Sequence, residues 1–77
     1  MPKNLDPEAV GTRALQILIQ ERKRQGWSMR QLAAAAGLSQ PMISYLESGM
    51  RAPSLDTFLR LCGVLELKPS EVLKRAE

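Results

Sequence analysis

Apolar residues along this chain recur every three or four positions, and no segment keeps the strict alternation of a half-buried strand. The pattern therefore predicts helices only. The first begins in Leu5-Asp6-Pro7-Glu8. Asp6 is placed as an N-cap, Pro7 fits the first helical position, and Glu8 sits at the positive end of the helix dipole. Leu5 and Val10 have the spacing of a hydrophobic staple. Val10, Ala14, Ile17, Leu18 and Glu21 continue the helical spacing towards a stop at Gly26, and Gly11 weakens the first turns.

Three further helices are announced by serine caps. Ser28 precedes MRQLAAAA, which Gly37 ends; Ser39 precedes QPMISYLE, which Gly49 ends; Ser54, after Pro53, precedes LDTFLRLCGVL. The segment KPSEVLKRAE at 68–77 predicts a short fifth helix with Pro69 in its first turn. The expected fold class is all-α, a five-helix domain over residues 7–77 preceded by a loose N-terminal arm at 1–6.

Projected at about 100° per residue, the second and third helices each divide into two faces. In the second, Met29, Leu32, Ala33 and Ala36 share one face and Arg30, Gln31, Ala34 and Ala35 the other. In the third, Met42, Ile43 and Leu46 face one way, Gln40, Pro41, Ser44 and Tyr45 the other, and Glu47 stands at the border. Alanines allow close approach of a neighbouring helix, and Gly37 can adopt the positive φ of a sharp helix-to-helix turn. Two short helices, a glycine turn and small residues at the crossing are the ingredients of a helix-turn-helix over about 28–48. Its outward face is short, polar and uncharged. Glutamine can bond an adenine edge in bidentate fashion, tyrosine can stack or donate, and a proline ring suits a thymine methyl.

Charge adds a second hint. The chain carries +3, and residues 21–51 account for it, with Arg22, Lys23, Arg24, Arg30 and Arg51 against Glu21 and Glu47. Charge alone does not choose between a solvated surface and an electrostatic footprint for phosphates. Composition narrows the chemistry more firmly. Seventy-seven residues suit one small domain. With no histidine and a single cysteine, neither a disulfide framework nor the usual zinc patterns can be built. Cys62 lies in the apolar run LRLCGVL and reads as a core thiol. No paired carboxylates or glycine-rich phosphate loop suggest an enzyme, and no cofactor is expected. No apolar run approaches the ~18 residues of a membrane span and no signal peptide opens the chain, so a cytoplasmic protein is expected, too short for a separate effector domain.

From Arg22 through Leu73, about two thirds of its length, the chain resembles the phage Cro/repressor-type (XRE-like) helix-turn-helix domains. The residues that carry the resemblance are Arg22 and Gly26, then Leu32-Ala33, Gly37-Leu38-Ser39, Ile43, Leu46-Glu47, Gly49, Pro53-Ser54-Leu55, Leu59 and Leu65. It implies a lambda-repressor-like five-helix domain that binds double-stranded DNA, usually as a homodimer. By position, the resemblance puts Ser39, Gln40, Pro41, Ser44 and Tyr45 at bases, and Ser28, Met29, Arg30, Ser48 and Arg51 at phosphates. It also pairs Arg22 with Glu47 between the first and third helices.

Two residues depart from the family pattern. Met29 stands where glutamine is common, and Pro41 replaces a residue that often bonds a base, which shifts the expectation towards methyl contact and DNA shape. The dimer is expected to use the carboxy-terminal apolar residues Leu67, Val72 and Leu73. Two functions compete. One is a sequence-specific transcriptional regulator of the repressor or activator kind. The other is an antitoxin-like protein that binds a small protein partner, for which Leu15 and Ile19, one turn apart on the first helix, would supply an extra apolar strip.

Overall fold

In the computed structural model, which describes residues 6–77, five helices follow one another: α1 (Pro7–Arg24), α2 (Met29–Ala36), α3 (Gln40–Glu47), α4 (Leu55–Val64) and α5 (Pro69–Ala76). The expected staple between Leu5 and Val10, and the arm before residue 6, lie outside the described residues. Asp6 itself is ordered into the N-cap of α1, accepting from the Glu8 N–H at 3.0 Å. Ser28, Ser39 and Ser54 cap α2, α3 and α4, each hydroxyl accepting the N–H three residues on. At α2 the cap is reciprocal, because the Gln31 side chain returns to the Ser28 N–H at 3.1 Å. The Ser-x-x-Gln spacing of that capping box is present in the sequence and is the signal for it.

Helices α1 to α4 leave through one motif. In each, an N–H just past the helix end returns to the carbonyl five residues before it, as in Trp27 to Arg22 at 3.0 Å, Leu38 to Ala33 at 2.8 Å, Met50 to Tyr45 at 3.0 Å and Leu67 to Cys62 at 2.9 Å. The residue inside each bond is left-handed: Gly26, Gly37, Gly49 and, at the end of α4, the non-glycine Glu66 at φ 58°. A Cβ at Gly37 would also crowd Arg60 Nη1 at 3.1 Å, the far end of a flexible side chain, so the positive φ is what favours glycine there.

The core lies where these helices cross. α1 packs along α5 and against α3, while α2 touches α3 and α4. Ala14, Leu18, Leu32, Ala33, Ala36, Ile43, Leu46, Phe58, Leu61, Leu65, Val72 and Ala76 fill it around a fully enclosed Cys62. Burial pushes the Cys62 thiol up, away from the reactive thiolate. The buried stripe of α1 ends on Arg22, and Glu21 turns aside to Arg24 and Gln25. α1 and α5 are further tied where Arg13 Nε donates to the Ala76 carbonyl, the end of α5's dipole.

The three residues expected at a dimer interface fall into different surroundings. Val72 is 1% exposed and belongs to the protomer's own core, so its side chain is not available to a second copy. Leu67 is partly buried against that core, and Leu73 is the exposed member of the three. The physical reason is helix phase. Packing against α1 turns Val72 and Ala76 inward and leaves Leu73, one position on, outside.

Candidate nucleic-acid interface

The third helix is held by its apolar side. Ile43 and Leu46 are buried, Met42 packs against the core, and the four residues Gln40, Pro41, Ser44 and Tyr45 are exposed. Together those four line a shallow open depression on the surface. Ser39 is the cap of the helix, its Oγ accepting from the Met42 N–H at 3.2 Å, which leaves its hydroxyl hydrogen free to donate. Ser48 closes the other end by donating to the Tyr45 carbonyl at 3.0 Å. The exposed row therefore presents an amide, a hydrophobic ring, a hydroxyl and a phenol, with no formal charge among them.

This helix is tied to α1. Arg22 Nε and Nη2 donate to the two carboxylate oxygens of Glu47 at 2.6 and 2.9 Å, a bidentate fork. Its remaining Nη1 donates to the Trp27 carbonyl at 2.8 Å. The side chains of the pair are 9% and 13% exposed, so the interaction is sheltered from solvent screening. Trp27 is the participant that sequence reasoning missed. Its contribution is a backbone oxygen, which leaves no mark in the residue type. The loop that carries it is tied down in turn, as Trp27 Nε1 donates to Gln25 and the Gln25 amide donates to the Leu65 carbonyl at 2.8 Å.

The residues expected at phosphates lie at the start of α2 and just after α3. Ser28 begins α2, and its hydroxyl is engaged by the Gln31 N–H at 3.0 Å. The backbone N–H groups of Met29 and Arg30 open the helix and have no intrahelical acceptor, so the dipole and two donors point outward together. The Met29 side chain packs against the core and offers nothing polar. Of the five cations between residues 21 and 51, two are engaged. Arg22 is held by Glu47, and Arg24 lies on Glu21. The Arg24 hydrogen bond, helped by Gln25, holds the Glu21 carboxyl down to about 2. Lys23, Arg30 and Arg51 are exposed and make no ion pair among the described residues, so they carry the regional excess. Arg51 lies over the Tyr45 ring, with its guanidinium carbon 6.0 Å from the centroid.

The strip of Leu15 and Ile19 is less open than its sequence suggests. Leu15 packs against the core, and both are partly buried beside Leu18, Leu32, Ile43, Leu46 and Leu61. Among the described residues no His/Cys/Asp/Glu cluster could hold a metal, and no helix is long and apolar enough to cross a membrane.

Comparison with known proteins adds three findings. A protein-family model described as helix-turn-helix matches residues 18–72. An uncharacterized HTH-type transcriptional regulator of Haemophilus influenzae is 42% identical over 48 residues, which cover 62% of this chain and 49% of that protein. An uncharacterized HTH-type transcriptional regulator of Mycobacterium tuberculosis is 36% identical over 56 residues, 73% of this chain and 40% of its own length. The chain thus spans less than half the length of these curated relatives. No solved structure matches it significantly.

Proposed function

Because the chain belongs to the Cro/C1-type (XRE) helix-turn-helix family, we propose that it is a sequence-specific DNA-binding transcriptional regulator. It works as a homodimer in the cytoplasm and lays α3 in the major groove of a pseudo-palindromic operator. The observation that carries this reading is the outward row Gln40, Pro41, Ser44 and Tyr45 on a helix whose opposite side is locked into the core. A surface helix selected for solubility alone would carry lysine and glutamate there.

In this reading Gln40 bonds a base edge, Pro41 packs on a thymine methyl, and Ser39, Ser44 and Tyr45 complete the contact. The N–H groups of Met29 and Arg30 meet a phosphate at the start of α2, with Ser28 beside them. Ser48 and Arg51 hold the backbone next to α3. Two copies placed about 34 Å apart read half-sites one helical turn apart, which supplies the specificity that one short helix lacks. The regulator is a binding protein, and no step of its action requires a cofactor.

Protection mapping on the DNA flanking its own gene tests binding, symmetry and autoregulation together. Paired protected half-sites are expected; the absence of any protected segment would sink the reading. The antitoxin-like alternative draws no support from Leu15 and Ile19, which the core already covers in part. Co-purification of a small protein encoded beside this one would revive it.

A further inference from the structure

The outer side of α4 holds three residues that the protomer itself does not use. Leu55 is 71% exposed and Leu59 45%, and Gly63 follows at the same four-residue step. Steps of four keep all three on one side of the helix. The adjoining side, Phe58, Leu61 and Cys62, is buried in the core. Glycine is a poor choice within a helix, being second only to proline in disfavouring it. Nothing inside the protomer demands it here, because a Cβ on Gly63 would meet no atom within 4 Å and its φ is not positive. The same side of one helix therefore carries a protruding leucine near its start, a second leucine near its middle and a vacant notch near its end.

We propose that this face of α4 is the surface on which a second copy of the chain docks, the two α4 helices crossing antiparallel about a two-fold axis at Leu59. A two-fold contact requires that residue i meet j while j meets i. Centred on Leu59, that rule sets each Leu59 against its own copy and each Leu55 over the notch at the partner's Gly63. Asp56 and Arg60 flank the stripe and form an ion pair within the helix at 2.8 Å. An antiparallel pair meets flank to like flank, which brings each Asp56 towards the Arg60 of the other copy. Shape and charge are thus both self-complementary, which selects a second copy over an unrelated partner.

A ten-residue helix offers less than the ~800 Å² per partner of a standard interface. The pair is accordingly a concentration-dependent one. It extends the dimer of the proposed function, but association is read without DNA, so failure here leaves the DNA reading standing.

Sedimentation equilibrium of the full chain is expected to show a monomer–dimer equilibrium. Leu59→Glu sets like charges across the axis and should weaken dimerisation at least about tenfold, whereas Leu73→Glu should leave it unchanged. Gly63→Met fills the notch; thermal melts of dilute protein should hold or rise while dimerisation weakens, which separates the contact from the fold. The charged flank has its own test. Asp56→Arg and Arg60→Asp should each weaken self-association, and mixing the two variants should restore it as a heterodimer, because both cross-axis pairs become opposite in sign. A salt bridge acting only within the helix cannot be repaired by mixing. A monomer up to millimolar concentration, a dimer indifferent to Leu59→Glu, or one broken by Leu73→Glu overturns the proposal.

Discussion

Arg22 is the buried charged residue of the described chain, and all three donors that its guanidinium directs inward are matched. Removing its carboxylate partner leaves a sheltered cation facing apolar side chains. Glu47→Ala should therefore cost about 3–5 kcal/mol, while an exposed pair would cost only about 0–1 kcal/mol. Replacing both residues by apolar ones of similar volume should recover much of that loss, because the desolvation of two charges disappears with them. Operator affinity need not return with stability, since the double variant also loses the polar link between α1 and α3. Melts of the two single variants and the double, each with a DNA titration, measure both effects. Near-zero coupling between the positions would show that the fork contributes nothing to stability.

The ends of the helices are where local chemistry meets its one exception. Three of the four left-handed exits use glycine, and the fourth places Glu66 at φ 58°. A side chain in that region crowds its own carbonyl by roughly 1–2 kcal/mol, while the bond from Leu67 to Cys62 keeps the turn closed regardless. Glu66→Gly should consequently stabilise the domain by about 0.5–1 kcal/mol, after the greater backbone freedom of glycine in the unfolded chain is subtracted. A denaturant midpoint that falls in this variant would mean that the Glu66 side chain contributes more than its backbone costs. The caps themselves, and the two-faced character of α2 and α3, were readable in advance. Both depend on residues within four positions of one another, and serine, glycine and helical spacing report such geometry directly. The inward side of α5 was not readable in the same way. Val72 and Leu73 are adjacent and both apolar, and only contact with α1 decides which one is enclosed.

For the molecule as a whole, the distribution of roles predicts two kinds of DNA-binding defect. Gln40→Ala should lose roughly 1–3 kcal/mol at the best operator and flatten preference at one base position. Arg51→Ala should weaken all sequences about equally and reduce the dependence of log affinity on log salt by about one unit. Binding titrations on randomised operators across a salt series distinguish the two. Arg51 lies 6.0 Å over the Tyr45 ring centroid, so the residue proposed to hold phosphate is adjacent to one proposed to read bases. If Arg51→Ala changed base preference while Gln40→Ala did not, the two roles would be reversed.

What the sequence determined by itself was the helix order, the caps, the glycine turn between α2 and α3 and the side of α3 that faces out. Each is encoded within a few residues, where propensity, capping and periodicity act on the chain directly. Tertiary structure decided the rest. It seated Arg22 on both Glu47 and the Trp27 carbonyl, drew the Arg13 side chain to the Ala76 carbonyl 63 residues away, enclosed Val72, and left Leu55, Leu59 and Gly63 exposed along α4. Those outcomes depend on how helices distant in sequence rotate against one another. That rotation is set by the summed packing of the core, and no single residue or local spacing records it.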